Sequence, residues 1–177
     1  MSLLIQYTIL YASVLILVAL GGCFSEHSGV INLGLEGIMV MGALGGALTM
    51  KYMIGYPPAV IVILTILAAA VTGLVFSALL AVACINFKAD QTIVGTALNM
   101  LGLAAATVIV KAINIAENPD NVSATVQYIA QKKSFLVNIG GFEFNWMMLV
   151  ALVILIAAYI VLYKTKFGLR LMACGEH

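Results

Sequence analysis

The chain has 177 residues, 64% of them hydrophobic and 8% charged, and a formal net charge of +1. A soluble domain carries roughly 25% charged residues, so this composition excludes an ordinary water-soluble globule. No run of Lys and Arg is present to hold phosphates, and no nucleic-acid partner is expected.

Mean hydropathy is +1.16, and the apolar residues gather into five stretches, at 3–22, 31–50, 59–85, 92–110 and 146–163. Each is near the ~20 residues that a helix needs to cross a ~30 Å hydrocarbon core. The expected fold class is all-α: a polytopic transmembrane helix bundle of about five spanning helices in a single domain. A β-barrel needs alternating segments of ~10 residues, and 59–85 does not alternate.

The first stretch lacks the basic flank of a signal peptide and is longer than its apolar region, so it reads as a retained membrane helix. It is expected to end at Gly21-Gly22, ahead of the polar residues Ser25, Glu26, His27, Ser28 and Gly29. The second stretch carries Gly42 and Gly46, a spacing of small residues that lets helix backbones approach closely in lipid. Pro57-Pro58 precedes the third, where Ala69 and Gly73 repeat that spacing. A polar turn at 86–91 leads to the fourth. Residues 111–145 are too long for a mere connection, so local structure lying on the membrane is expected there. Trp146 and Tyr163 bracket the fifth stretch as interfacial anchors, and a polar tail at 164–177 begins with Lys164, Lys166 and Arg170.

Glu36 is the charged side chain set deepest in any span. A charge near the bilayer centre costs ~2.5–3.5 kcal/mol on insertion scales, so Glu36 should face the bundle interior or a cavity. Asn32, four residues earlier, would share its helix face. Either Glu36 contacts a solute, or it supports packing where Gly34 and Gly37 break the helix start. In the fourth stretch Thr92, Thr96 and Asn99 fall on one face. They line a solute path or make interhelical hydrogen bonds, and the threonine hydroxyls can also bond back to their own helix.

Three cysteines with no ligand spacing indicate neither a disulfide framework nor a metal site. In a five-span topology Cys23, Cys84 and Cys174 fall toward one side, as free thiols in a reducing compartment would. Asn121-Val122-Ser123 matches a glycosylation acceptor, a pattern common by chance. No phosphate loop of the Walker type occurs, so no cofactor is expected on this chain and any ATP belongs to a partner. No nucleophile–base pair can be assembled, and no enzymatic activity is expected.

Three stretches carry a family resemblance. The run Gly21-Gly22-Cys23-Phe24-Ser25-Glu26-His27-Ser28-Gly29-Val30-Ile31-Asn32-Leu33-Gly34-Leu35-Glu36-Gly37 resembles the opening signature of permease subunits in bacterial ABC importers of the branched-chain amino acid, ribose and nucleoside permease family. It is nearest the nucleoside and simple-sugar branch. The run Lys88-Ala89-Asp90-Gln91-Thr92-Ile93-Val94-Gly95-Thr96-Ala97-Leu98-Asn99 is similar to that branch's fourth-helix entry. Thr165-Lys166-Phe167-Gly168-Leu169-Arg170-Leu171-Met172-Ala173-Cys174-Gly175-Glu176 resembles the approach to the cytoplasmic loop that docks on the ATPase. His27 and His177 depart from the family pattern.

The resemblance implies a truncated permease half moving nucleosides or simple sugars across the inner membrane. Its implied partners are a cytosolic ATP-binding subunit, a second permease subunit, an extracytoplasmic solute-binding protein and membrane lipid. It implies an outside N-terminus, an external loop at 111–145 and a cytoplasmic C-terminal tail. The positive charges alone leave orientation tied, with Lys88, Lys164, Lys166 and Arg170 facing one side and Lys51, Lys111, Lys132 and Lys133 the other. The implied solute path holds Asn32, Glu36, Thr96 and Asn99, and ATPase coupling falls to Phe167, Gly168, Arg170, Gly175 and Glu176. Two other expectations stay open, an ion-coupled secondary carrier with Glu36 as coupling site and a scaffold subunit that transports nothing.

Overall fold

A computed structural model describes residues 2–126, 136–139 and 142–175. Six helices run in the order α1 (Ser2–His27), α2 (Leu35–Tyr52), α3 (Pro58–Ile85), α4 (Gln91–Glu117), α5 (Met147–Lys164) and α6 (Lys166–Gly175). Two short strands, β1 (Leu136–Ile139) and β2 (Phe142–Asn145), stand between α4 and α5. They pair antiparallel, Leu136 opposite Asn145 and Ile139 opposite Phe142, within the 111–145 stretch. Helices α1, α3, α4 and α5 are long and apolar enough to cross a membrane. The residues form two compact units, Met1–Asn32 with Phe135–His177, and Leu33–Ser134.

In the first unit α1 packs along α5, and α6 returns to the end of α1. Helix α1 does not stop at Gly21-Gly22 but continues to His27. Each glycine costs about 1 kcal/mol against alanine, whereas a backbone polar group left unpaired in lipid costs several. The stop lies at Gly29, whose φ of +80° is the left-handed conformation that glycine favours. Gly29 N donates to Glu26 O at 3.0 Å and Val30 N to Ser25 O at 3.2 Å, the paired bonds of a Schellman ending.

Thr165 turns the corner from α5 to α6. Its hydroxyl donates to Val161 O at 2.6 Å and accepts from Gly168 N at 3.4 Å, capping the new helix. A side chain on Gly168 would run into the Leu162 backbone, so the corner closes only around glycine. At the far end of α6, Gly175 meets the backbone of His27 and Gly29. The His27 ring stands edge-on to Tyr163, centroids 6.0 Å apart at 89°.

In the second unit α2 lies against α3 and α4. Gly42 and Gly46 face α3, where a Cβ on Gly42 would come 3.2 Å from Ala69 O and one on Gly46 would come 3.5 Å from Ala69 Cβ. The paired small residues of the second and third stretches therefore meet each other. Two apolar clusters fill the unit, one of Phe76, Leu80 and Leu98 and one of Leu44, Ala106 and Val110. Asp90 caps α4, accepting from Thr92 N at 2.8 Å and Ile93 N at 3.3 Å. Helix α4 runs to Glu117, about two turns past the expected end at Val110.

The stop at Gly29 gives a prediction. Gly29→Ala should destabilise the fold by about 1–2 kcal/mol through its left-handed backbone alone, whereas Gly22→Ala should be neutral or stabilising. Denaturation of the detergent-solubilised chain, followed by circular dichroism, measures both.

Candidate functional site at the start of the second helix

Helix α2 begins at Leu35 and not at Ile31, with Gly34 as its N-cap residue. Gly34 has no side chain to accept a bond from the first turn, and no side-chain cap is formed there. The missing cap comes from α4. Asn99 Oδ1 accepts from Gly37 N at 2.8 Å, and Asn99 Nδ2 donates to Leu33 O at 2.6 Å. One carboxamide thus satisfies a donor at the third helical position and an acceptor just before the helix. Those two partners also fix which way the amide is turned.

Glycines bring α4 close enough for this contact. A Cβ on Gly95 would stand 3.0 Å from Gly34 N, one on Gly102 would stand 2.8 Å from Gly37 Cα, and one on Gly37 would stand 2.5 Å from Leu98 O. Between Gly95 and Gly102 the backbones of α2 and α4 therefore touch.

The expected path residues separate on this frame. Asn99 is engaged in the clamp, the interhelical alternative of the sequence reading. The Thr96 hydroxyl bonds back to Thr92 O at 3.0 Å and Ile93 O at 2.9 Å, on an exposed face. Asn32 is half-buried and precedes the helix, so the four-residue spacing that would align it with Glu36 does not apply. Glu36 is exposed in the first turn of α2. A carboxylate there is favoured by the helix dipole.

From Glu36, positions 40, 43 and 47 follow along one face of α2 by helical periodicity. Val40, Ala43 and Ala47 line a groove of about 410 Å³ between α2 and α4, with Leu103 and Thr107 opposite. A second cavity, of about 220 Å³, lies between α1 and α5. The Thr8 and Ser13 hydroxyls at its wall bond to their own helix, at 2.8 Å and 2.7 Å, and its remaining lining is apolar.

The C-terminal ends of α2 and α4 hold groups that the sequence reading missed. Lys51, with 7% of its side chain exposed, lies 2.7 Å from the Glu117 carboxylate. Asn114 is 1% exposed and donates to Ser123 O and Thr125 O, both at 2.9 Å. The signal for Asn114 was present. Gly95, Leu98, Gly102, Ala106, Val110 and Asn114 form one buried stripe at spacings of three and four.

Of the residues assigned to coupling, Phe167 and Arg170 are exposed on α6, and Gly168 and Gly175 are packed inward. Glu176 lies outside the described residues.

Residues 4–177 match the sequence profile of a family described as the branched-chain amino acid transport system permease component. Among curated proteins the chain is 38% identical over its whole length to the guanosine ABC transporter permease protein NupQ of Bacillus subtilis, covering 57% of that protein. It is 33% identical, again over its whole length, to the nucleoside ABC transporter permease protein NupC of Lactococcus lactis, covering 57% of it. The chain thus spans a little over half the length of these relatives. No solved structure matches the chain significantly.

The clamp predicts an asymmetric pair of variants. Asn99→Leu strands both the Leu33 carbonyl and the Gly37 N–H, at roughly 1–3 kcal/mol for each group. Asn99→Asp keeps the acceptor for Gly37 and loses only the donor to Leu33, so it should fall between Asn99→Leu and the native chain. Thermal unfolding in detergent ranks the three.

Proposed function

The chain belongs to the family of permease components of branched-chain amino acid transport systems, and from that premise we propose that it is part of the transmembrane permease subunit of an ATP-binding-cassette importer for nucleosides. The observation that carries this reading is the similarity to nucleoside permeases along the entire chain. As a family member with four long apolar helices, the chain is a multi-pass membrane protein.

In the proposed arrangement α2 is a fifth crossing, which makes the whole chain part of one permease domain. Its 18 residues span about 27 Å at 1.5 Å per residue. Glu36, Lys51 and its glycines lower its hydropathy, and a helix held between α3 and α4 needs less lipid-facing apolar surface. Five crossings put the N-terminus outside and the C-terminal tail in the cytoplasm, in the inner membrane of a bacterium. The exposed side of α6, with Phe167 and Arg170, then meets a cytosolic ATP-binding subunit. A solute-binding protein delivers cargo from outside, and a second permease subunit completes the pathway.

Glu36 and the α2–α4 groove form this chain's share of the solute path. Apolar walls suit the face of a base, and a carboxylate accepts hydrogen bonds from the hydroxyls of a sugar. Asn99 and the glycines around it position that carboxylate and do not contact the cargo. Simple sugars would use the same carboxylate but leave the apolar walls unmatched, so nucleosides are the better fit.

The test is uptake of labelled nucleoside by cells expressing the complete permease with its ATPase and binding protein. Uptake should require ATP, and Glu36→Gln should lower it by about tenfold at unchanged expression, the size of one charge-assisted hydrogen bond. Normal uptake by Glu36→Gln would remove the charge from the mechanism. Uptake that survives ATP depletion and collapses with the proton gradient would assign Glu36 to a proton-coupled carrier.

A further inference from the structure

We propose that the turn between α3 and α4 is an anchor for anionic phospholipid, with the Lys88 ammonium on a headgroup phosphate and Ile85 and Phe87 toward the acyl chains.

Among the described residues Lys88 is the only one other than glycine with a left-handed backbone, at a φ of 53°. Glycine takes that conformation freely, whereas any other side chain adds a steric cost. The turn folds the chain back over the end of α3. Phe87 N donates to Val82 O at 3.4 Å and Ala89 N to Ala83 O at 3.1 Å, which bonds carbonyls of the last helical turn. Glycine at position 88 would serve those backbone bonds better than lysine. The reason for a lysine therefore lies in its charge. A cation just past α3 complements the helix dipole, but that gain needs no exposed apolar neighbours.

The neighbours point to lipid. Ile85 is 74% exposed and Phe87 78% exposed, and Lys88 between α3 and α4 is exposed as well. Asp90, the nearest carboxylate in sequence, is turned to α4, accepting from Thr92 N and Ile93 N. The outer side of the turn thus carries two large apolar groups and a cation.

The turn also joins two helices that are both long and apolar enough to cross a membrane. The 28 residues of α3 extend about 42 Å at 1.5 Å per residue, beyond the ~30 Å of a hydrocarbon core. The end of such a crossing reaches the headgroup layer. There an aromatic ring settles toward the acyl chains while a lysine stem carries its ammonium out to the phosphates. Net negative headgroups attract that ammonium more than zwitterionic ones, whose own cation offsets the phosphate.

The test uses the chain in lipid vesicles with Phe87→Trp as reporter and Trp146→Phe to remove its one native tryptophan. Brominated phosphatidylglycerol or brominated phosphatidylcholine, each diluted in plain phosphatidylcholine, quenches the reporter according to its occupancy beside the turn. At low salt phosphatidylglycerol should associate about fivefold more strongly, the gain of one lysine at an anionic surface. High salt should shrink that preference. Lys88→Gly suits the backbone and removes the charge, so it should keep native helix content and abolish the preference. Lys88→Arg should retain it. Equal association of the two lipids with the Lys88 chain overturns the proposal, as does a preference that survives Lys88→Gly or is lost in Lys88→Arg. A reporter quenched by neither lipid also overturns it, and assigns the turn to a protein partner. Quenching is read without transport and is independent of what the cargo is.

Discussion

In the hydrocarbon core of a membrane there is no water to complete a backbone hydrogen bond, and an unpaired peptide group costs several kcal/mol. At the interruption between α1 and α2 backbone groups are likewise paired within the protein. The ending at Gly29 satisfies the last carbonyls of α1 from within the chain. At the start of α2 the cap position is glycine, which forms no side-chain cap. Asn99 supplies a donor and an acceptor there from another helix. The placement of Glu36 follows, since the break sets where the first turn of α2 begins and which way its second residue points.

A side chain as short as asparagine reaches both partners only if the two backbones nearly touch. Gly37, Gly95 and Gly102 make that approach possible, and the approach in turn makes those glycines sensitive to any added carbon. Gly42 and Gly46 do the same toward α3 on another side of α2. Helix α2 is thus held on two sides by small residues. Its packing against α3 and α4 rests on these close approaches.

Much of this was legible in the residues. The five apolar stretches became the helices α1 to α5, four of which are long and apolar enough to cross a membrane. The pairing of Gly42 and Gly46 with the third helix was readable as spacing, although not the partner atoms. The misjudged ends have physical causes. Gly21-Gly22 looked like a stop, but a glycine ends a helix only where a left-handed turn is also bonded, and that condition is met at Gly29. Val110 looked like the end of α4 because Lys111, Asn114 and Glu117 follow. Those polar residues have tertiary partners or reach past the apolar zone, which no local pattern reveals. Asn99 was readable as a polar residue on a shared face, but its bonds to Leu33 O and Gly37 N depend on the helix start at Gly34, sixty-five residues earlier.

The Lys51–Glu117 pair raises the question of why a nearly buried lysine is kept where a methionine would fill the space. A buried ion pair is weak evidence for stability, because desolvation offsets much of the attraction. Its geometry is more informative. Lys51 lies in the last turn of α2, where a cation complements the helix dipole, and its ammonium stands 5.8 Å from the centre of the Tyr52 ring. The dipole and ring terms are internal to α2, but the ion pair forms only when the ends of α2 and α4 lie side by side in one register. Sliding either helix by a turn would leave the ammonium buried without its carboxylate, a far larger cost than losing an apolar contact. The clamp at Asn99 imposes the same register at the other end. With both ends pinned, α2 and α4 behave as one body, and the Glu36 carboxylate is fixed relative to the groove that continues from it along the same helix face.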